Sequence, residues 1–188
     1  PADPNDGDLR DFANDVPGSI TMIDLSNGAA NATAMTLGFT DFNMGGSRHA
    51  ELPDTLRVEP GATSVANDLE PEYPAFSEDG SLVFVSLQEN NGIAVVDVEN
   101  MRIDSIVSLG FKDHGLLVNA LDASDRDEID IVAEEGVWGL AMPDGIASYM
   151  VNGTHYVVTA NEGDSRDDVD ECGLDDFANL DATLFAGR

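Results

Sequence analysis

Two acidic loops hold most of the chemistry that this chain could perform. Asp122, Asp125, Asp127, Glu128 and Asp130 fall within nine positions, and alternate carboxylates in a loop can converge on Ca2+, which takes about 6–8 oxygen ligands. The spacing is not that of an EF-hand, so the segment admits two readings, a Ca2+ site or a solvated acidic turn. The second cluster, Asn161, Glu162, Asp164, Arg166, Asp167 and Asp168, follows directly on the apolar run that ends at Ala160. The candidate ligands for Ca2+, the one cofactor these residues suggest, are Asp122, Asp125, Asp127, Asp130, Glu162, Asp164, Asp167 and Asp168.

Further polar residues stand where loops should meet. Glu70 and Glu72 flank Pro71, Glu89 and Asn90 precede a turn, and Lys112, Asp113 and His114 are consecutive. On one face, these and Asn161 would form a metal-bridged site with Lys112, His114 and Arg166 turned toward an anion. Hydrolysis of a phosphomonoester needs charge stabilisation on the transferring oxygens and an activated water, which bound Ca2+ and such cations supply. Against this, the chain has eight basic residues and they do not cluster; phosphate would meet a repulsive field unless metals invert it.

Other chemistries lack their residues. Cys172 is the only cysteine and sits among Asp170, Glu171 and Asp175, a setting that raises a thiol pKa and disfavours a nucleophile. His49 and His155 have no zinc-type spacing, and there is no Walker loop, dinucleotide fingerprint or Gly-x-Ser-x-Gly elbow. Trp138 reads as a packing anchor between sheets.

Thirty-seven acidic residues against eight basic ones give a formal charge of −29. Such a surface repels nucleic acid and anionic membranes and strains a compact monomer in dilute buffer. At molar salt the Debye length shrinks to about 3 Å, so the composition suits a halophile, or else an extracellular protein partly neutralised by Ca2+. Both point to an extracellular or cell-surface setting. No apolar stretch approaches the roughly 18 residues of a membrane span, and the start at Pro1 with PADPNDGD suggests a processed or truncated N-terminus.

The elements that must position these loops recur. PAFSEDGSLVFVSLQEN at 74–90 returns 73 positions later as ASYMVNGTHYVVTANEG, placing Glu89 over Glu162; GSITMIDL at 18–25 returns as NGIAVVDV, and LGFTD at 37–41 as LGFKD. A fixed period points to a solenoid or propeller. Residues 73–76, 82–87, 93–98 and 103–109 alternate as four strands joined by tight turns, the pattern of one propeller blade. The fold class expected is all-β, a β-propeller of four-stranded antiparallel blades with about two to three blades represented, an incomplete ring. The organisation is a polar lead-in at 1–17, a rear half-blade at 18–42, an insertion at 43–68 with a strand near Leu56–Val58, a full blade at 69–111, an insertion at 112–141, a front half-blade at 142–163, and an acidic tail or loop at 164–188.

The motifs LEPEY, LQENN, LGFKDH, LDASD and ANEGDSRD, within 68–131 and 142–168, together resemble the choice-of-anchor I family of secreted or surface-anchored β-propeller proteins. The resemblance implies a propeller in an exported protein, sometimes labelled alkaline phosphatase or phytase-like, in chains longer than this one. Glu128 stands where such proteins commonly carry a Gly.

Three functions follow as expectations: a non-enzymatic surface module for binding or extracellular assembly, stabilised by high salt or Ca2+; a Ca2+-dependent phosphomonoesterase; or a structural subunit that completes its ring or filament with another chain. The partners expected are the remaining blades of a parent propeller or another protein chain, and a surface polymer or anionic ligand held through metal, without nucleic acid or a membrane span.

Overall fold

The computed structural model describes residues 16–59, 62–122 and 128–163. It is nearly all β. A hairpin of β1 (Ser19–Asp24) and β2 (Thr33–Gly38) leads into an irregular stretch that ends in one helical turn, α1 (Val65–Asp68). A four-stranded antiparallel sheet follows in sequence order, β3 (Pro71–Phe76), β4 (Leu82–Leu87), β5 (Gly92–Asp97) and β6 (Arg102–Ser108). A two-residue ladder of β7 (Lys112–Asp113) and β8 (Trp138–Gly139) precedes the last hairpin, β9 (Pro143–Val151) and β10 (Thr154–Asn161). Among the described residues the sheets do not close a ring, and the arrangement is an incomplete propeller-like fold.

Both faces of the four-stranded sheet are covered, which is why β4 reads LVFVSL without polar alternation. Val83, Val85, Leu87, Ala94, Val96, Ile103 and Ile106 pack with Leu37, Phe39, Phe42, Leu56, Ala66 and Leu69 from the preceding hairpin and the 43–68 stretch. On the other face Phe84 and Ile93 meet Ile146, with Val157 packed alongside. Full burial of such a side chain stabilises by about 1.5–3 kcal/mol, and Leu87→Ala at a fully buried position would cost about 2–5 kcal/mol.

Turn chemistry sets the spacing of the strands. The connections at 88–91 and 98–101 each end in a left-handed residue, Asn91 at φ 52° and Met101 at φ 48°. Asn tolerates that region; Met is an uncommon occupant. Asn152 and Gly153, at φ 51° and 80°, make the two-residue turn that hairpins favour.

A bulge in β6 explains the placement of one half-buried arginine. The ladder steps from Val95↔Ser105 to Val96↔Ile103, leaving Asp104 as the extra residue. Arg48 donates to the carbonyls of Ile103 and Asp104, both at 2.6 Å, and stacks 4.5 Å from the Phe42 ring centroid. Glu51, paired with it at 2.6 Å, raises the Arg48 pKa, and Glu51 is itself held below its ordinary value by that hydrogen bond.

Four expectations are corrected. Residues 56–58 form no strand, because the Arg57 N–H is turned onto the Asn90 carbonyl at 3.0 Å and the Leu56 N–H onto Pro53. Trp138 does not anchor sheet packing: it is 57% exposed on the β7–β8 ladder and meets Phe111 edge-on at 6.3 Å. The two LGF segments are not counterparts, since Gly38 pairs with Ser19 as Ser108 pairs with Gly92, which sets Gly38 against Ser108 and not Gly110.

The fourth concerns the 73-residue period at β9–β10. It preserves pairing, with Tyr149↔Tyr156 matching Phe76↔Val83, but it reverses facing. Phe84 and its counterpart by that period, Val157, lie in the same interface on opposite sheets, whereas counterparts in a rotational repeat face the same way round the ring. The bulges give the structural match: β3–β4 steps from Pro74↔Val85 to Pro71↔Leu87, and β9–β10 from Ile146↔Thr159 to Pro143↔Asn161. Pro143 therefore stands for Pro71, Val157 for Val83 and Val158 for Phe84.

Candidate functional site

The ends of β4, β6 and β10 gather around the turn at 88–91, where the sequence places Glu89 and Asn90. Asn90 and Asn91 are fully buried, as is Asp68 at the end of α1. The Asn90 amide donates to Asp68 Oδ2 at 2.7 Å and to the carbonyls of Asp68 and Arg57, and its oxygen accepts from the Glu70 N–H at 3.3 Å. Asp68 Oδ2 also accepts from the Glu59 N–H at 3.2 Å.

Asn91 serves the other side of the turn. Its amide donates to the Gly110 carbonyl at 2.7 Å, and its oxygen accepts from the N–H groups of Ala141 and Met142 at 2.9 and 3.2 Å. The carbonyls of those two residues accept in turn from Gly163 and Glu162. The left-handed conformation of Asn91 lets one side chain reach the end of its own sheet and the entry of the next hairpin. Neighbouring asparagines thus tie the four-stranded sheet backward to 57–70 and forward to 141–163.

Carboxylates lie along the rim of this seam. Glu162 is exposed, and its Oε2 accepts from Gln88 Nε2 at 3.3 Å. Arg57 donates to the Glu89 carbonyl at 3.2 Å and pairs with Glu59 at 3.1 Å. Glu72 is exposed on β3, and Asn161, exposed at the end of β10, accepts from Thr159 at 2.7 Å.

The remaining candidates sit in the 112–141 insertion. Lys112 is exposed on β7; Asp113 Oδ1 accepts from the Gly115 N–H at 2.9 Å; His114 Nδ1 lies 2.7 Å from the Asn119 carbonyl. A carbonyl can only accept, so Nδ1 is the donor of this hydrogen bond. Asp122 Oδ2 accepts from the Asp130 N–H at 3.2 Å, closing the base of the acidic loop. Asp125, Asp127, Asp164, Arg166, Asp167 and Asp168 lie outside the described residues, and so does Cys172. Among the described residues, no group of three or more His, Cys, Asp or Glu side chains is placed to hold a metal ion.

Sequence reasoning missed Asp68, Arg57 and the forward role of Asn91. A signal existed for Arg57: each of only eight basic residues in so acidic a chain must have strong local reasons to be placed. Asp68 carried none.

Hydrogen-bonded side chains in a low-dielectric interior strengthen one another and fix geometry. The seam consequently orders the joints between sheets, and what the fold and seam define is a segment of a β-propeller. The chain belongs to the choice-of-anchor I family, whose domain model matches residues 2–186. No curated protein and no solved structure matches it. Family membership implies a surface or secreted protein, and among the described residues no helix is long and apolar enough to cross a membrane.

Proposed function

We propose that the chain is an exported, surface-associated propeller module that works by binding or extracellular assembly and not by turnover, in a setting of high salt or Ca2+. One observation carries this reading. Asn90 and Asn91, at the loop end where a channel-face site was expected, are buried and engaged in holding sheets together.

The charge of −29 supports the salt requirement, because self-repulsion at low ionic strength opposes a compact state. Ca2+ would be held by the acidic loops that begin at Asp122 and Glu162, as a structural counter-ion. The partners are the remaining blades of a parent propeller or another chain, and a surface polymer or anionic ligand.

Thermal unfolding of the 188-residue chain, followed from dilute buffer to molar KCl and with CaCl2 at matched ionic strength, tests the setting. The midpoint should rise with KCl, and further with CaCl2 if Ca2+ is specific. A midpoint insensitive to both salts would overturn the proposed setting.

A further inference from the structure

Two exposed asparagines carry a motif that the fold does not use. Of the thirteen asparagines in the chain, Asn31 and Asn152 alone have Ser or Thr two residues on, as Asn31-Ala32-Thr33 and Asn152-Gly153-Thr154. Asn-x-Ser/Thr, with x other than Pro, is the acceptor pattern for N-linked glycans, and it needs a surface position because the glycan is bulky and hydrated.

The backbone puts both at hairpin tips. Asn31 ends a single 3-10 turn, Ala29–Asn31, between β1 and β2, and Thr33 opens β2 opposite Asp24. Asn152 is the left-handed first residue of the turn between β9 and β10, and Thr154 opens β10 opposite Val151. Asn31, Thr33, Asn152 and Thr154 are all exposed. The Asn31 amide donates to the Asn27 carbonyl at 3.1 Å in an exposed setting, where water can replace that bond. Asn90 and Asn91 are the contrast: both are fully buried with their amides engaged, and neither has a hydroxyl residue at that spacing.

The two tips lie at one end of the sheets. Leu25, Ser26 and Thr33 share a cleft with Phe76, Val98 and Met101, so the β1–β2 tip stands beside the turns at 77–81 and 98–101. His155 Nε2 lies 3.8 Å from Asp79 Oδ2, and the Ser148 hydroxyl donates to the Phe76 carbonyl, so the β9–β10 tip stands beside the 77–81 turn as well. In an antiparallel sheet alternate turns fall at opposite ends, which puts the 88–91 turn, with Asn90 and Asn91, at the far end.

We propose that Asn31 and Asn152 are N-glycosylation sites that cover this end of the module and leave the seam end bare. The donor is a lipid-linked oligosaccharide, transferred at the membrane during export. A bond forms between the asparagine Nδ2 and the anomeric carbon of the first sugar, the bond from that carbon to the lipid phosphate oxygen breaks, the lipid phosphate leaves, and one amide proton passes to base. The threonine two residues on supplies the hydroxyl that the transferase reads. Glycans here add a hydrated neutral layer where two loop tips already meet solvent. The inference rests on the reading of the chain as exported.

The test is peptide mass spectrometry on the parent protein recovered from the medium and surface of its own cells. The peptides that contain Asn31 and Asn152 should each carry a glycan. Thr33→Val and Thr154→Val keep the asparagine and suit a strand, and each should lose its own glycan completely and leave the other in place, while Thr33→Ser and Thr154→Ser should retain theirs. Circular dichroism should stay that of the parent throughout. An exported protein bare at either asparagine, or a glycan that survives Thr→Val, would overturn the two-site inference and leave export standing. Protein found only inside the cells and unmodified would overturn both.

Discussion

Asn91 Oδ1 accepts the backbone N–H of Met142 at 3.2 Å across 51 positions of sequence. The same side chain donates to Gly110 at 2.7 Å, so one buried amide fixes where β6 ends and where β9 begins.

Asn91→Gly should separate backbone from side-chain effects, since glycine keeps the left-handed turn and loses the side-chain hydrogen bonds. Leaving buried donors or acceptors unmatched costs about 1–3 kcal/mol each. A loss of about 2–4 kcal/mol is expected from urea unfolding in high salt. Asn91→Asp should be at least as harmful, because it puts a charge in a fully buried place and removes the donor to Gly110.

Arg48→Lys keeps the charge but replaces a planar fork with a point donor. The carbonyls of Ile103 and Asp104 at the β6 bulge then lose their shared partner. The expected cost is about 1–3 kcal/mol by the same unfolding measurement; an unchanged midpoint would remove Arg48 from the account of the bulge.

Acid should destabilise the fold below the ordinary carboxylate range. The Asp79 carboxylate accepts from the Ser81 N–H and from the Ser81 and Ser77 hydroxyls, which lower its pKa from 3.8 to about 2. A depressed folded-state pKa contributes stability that is fully present above 3.8 and is lost as pH falls through about 2. Asp24, Glu51 and Asp97 are lowered too and act with the same sign. Melting temperature should fall between pH 5 and pH 2, and Asp79→Asn should flatten that dependence.

Trp138→Phe should change stability by less than about 0.5 kcal/mol, as surface substitutions do, because the indole is 57% exposed. As the chain's one tryptophan, it should emit at a wavelength typical of a wet indole in the folded state. A buried-indole spectrum would contradict its placement.

The strands were legible because β3 to β6 follow alternation and turn rules closely: Asp79-Gly80, Asn91-Gly92 and Asn152-Gly153 each mark a reversal that the backbone makes. What the period could not convey was facing. Pairing register survives a shift of β9 one way and β10 the other, but such a shift turns every side chain to the opposite face, and so Glu89 and Glu162 were set together although Glu162 reaches Gln88. The 43–68 stretch was illegible because its geometry comes from partners distant in sequence, the Asn90 carbonyl for Arg57 and the β6 bulge for Arg48. The seam hid for the same reason: asparagines before a glycine announce a turn, and their tertiary hydrogen bonds leave no local trace.

The account stands most directly on an assay of phosphate release from a monoester and from phytate, in molar salt, with Ca2+ and then with chelator, on a sample shown to be folded. The prediction is no turnover in either condition, with stability alone responding to salt or Ca2+. Turnover that chelation abolishes and Glu162→Gln diminishes would make the acidic loops a catalytic metal site and contradict the central claim.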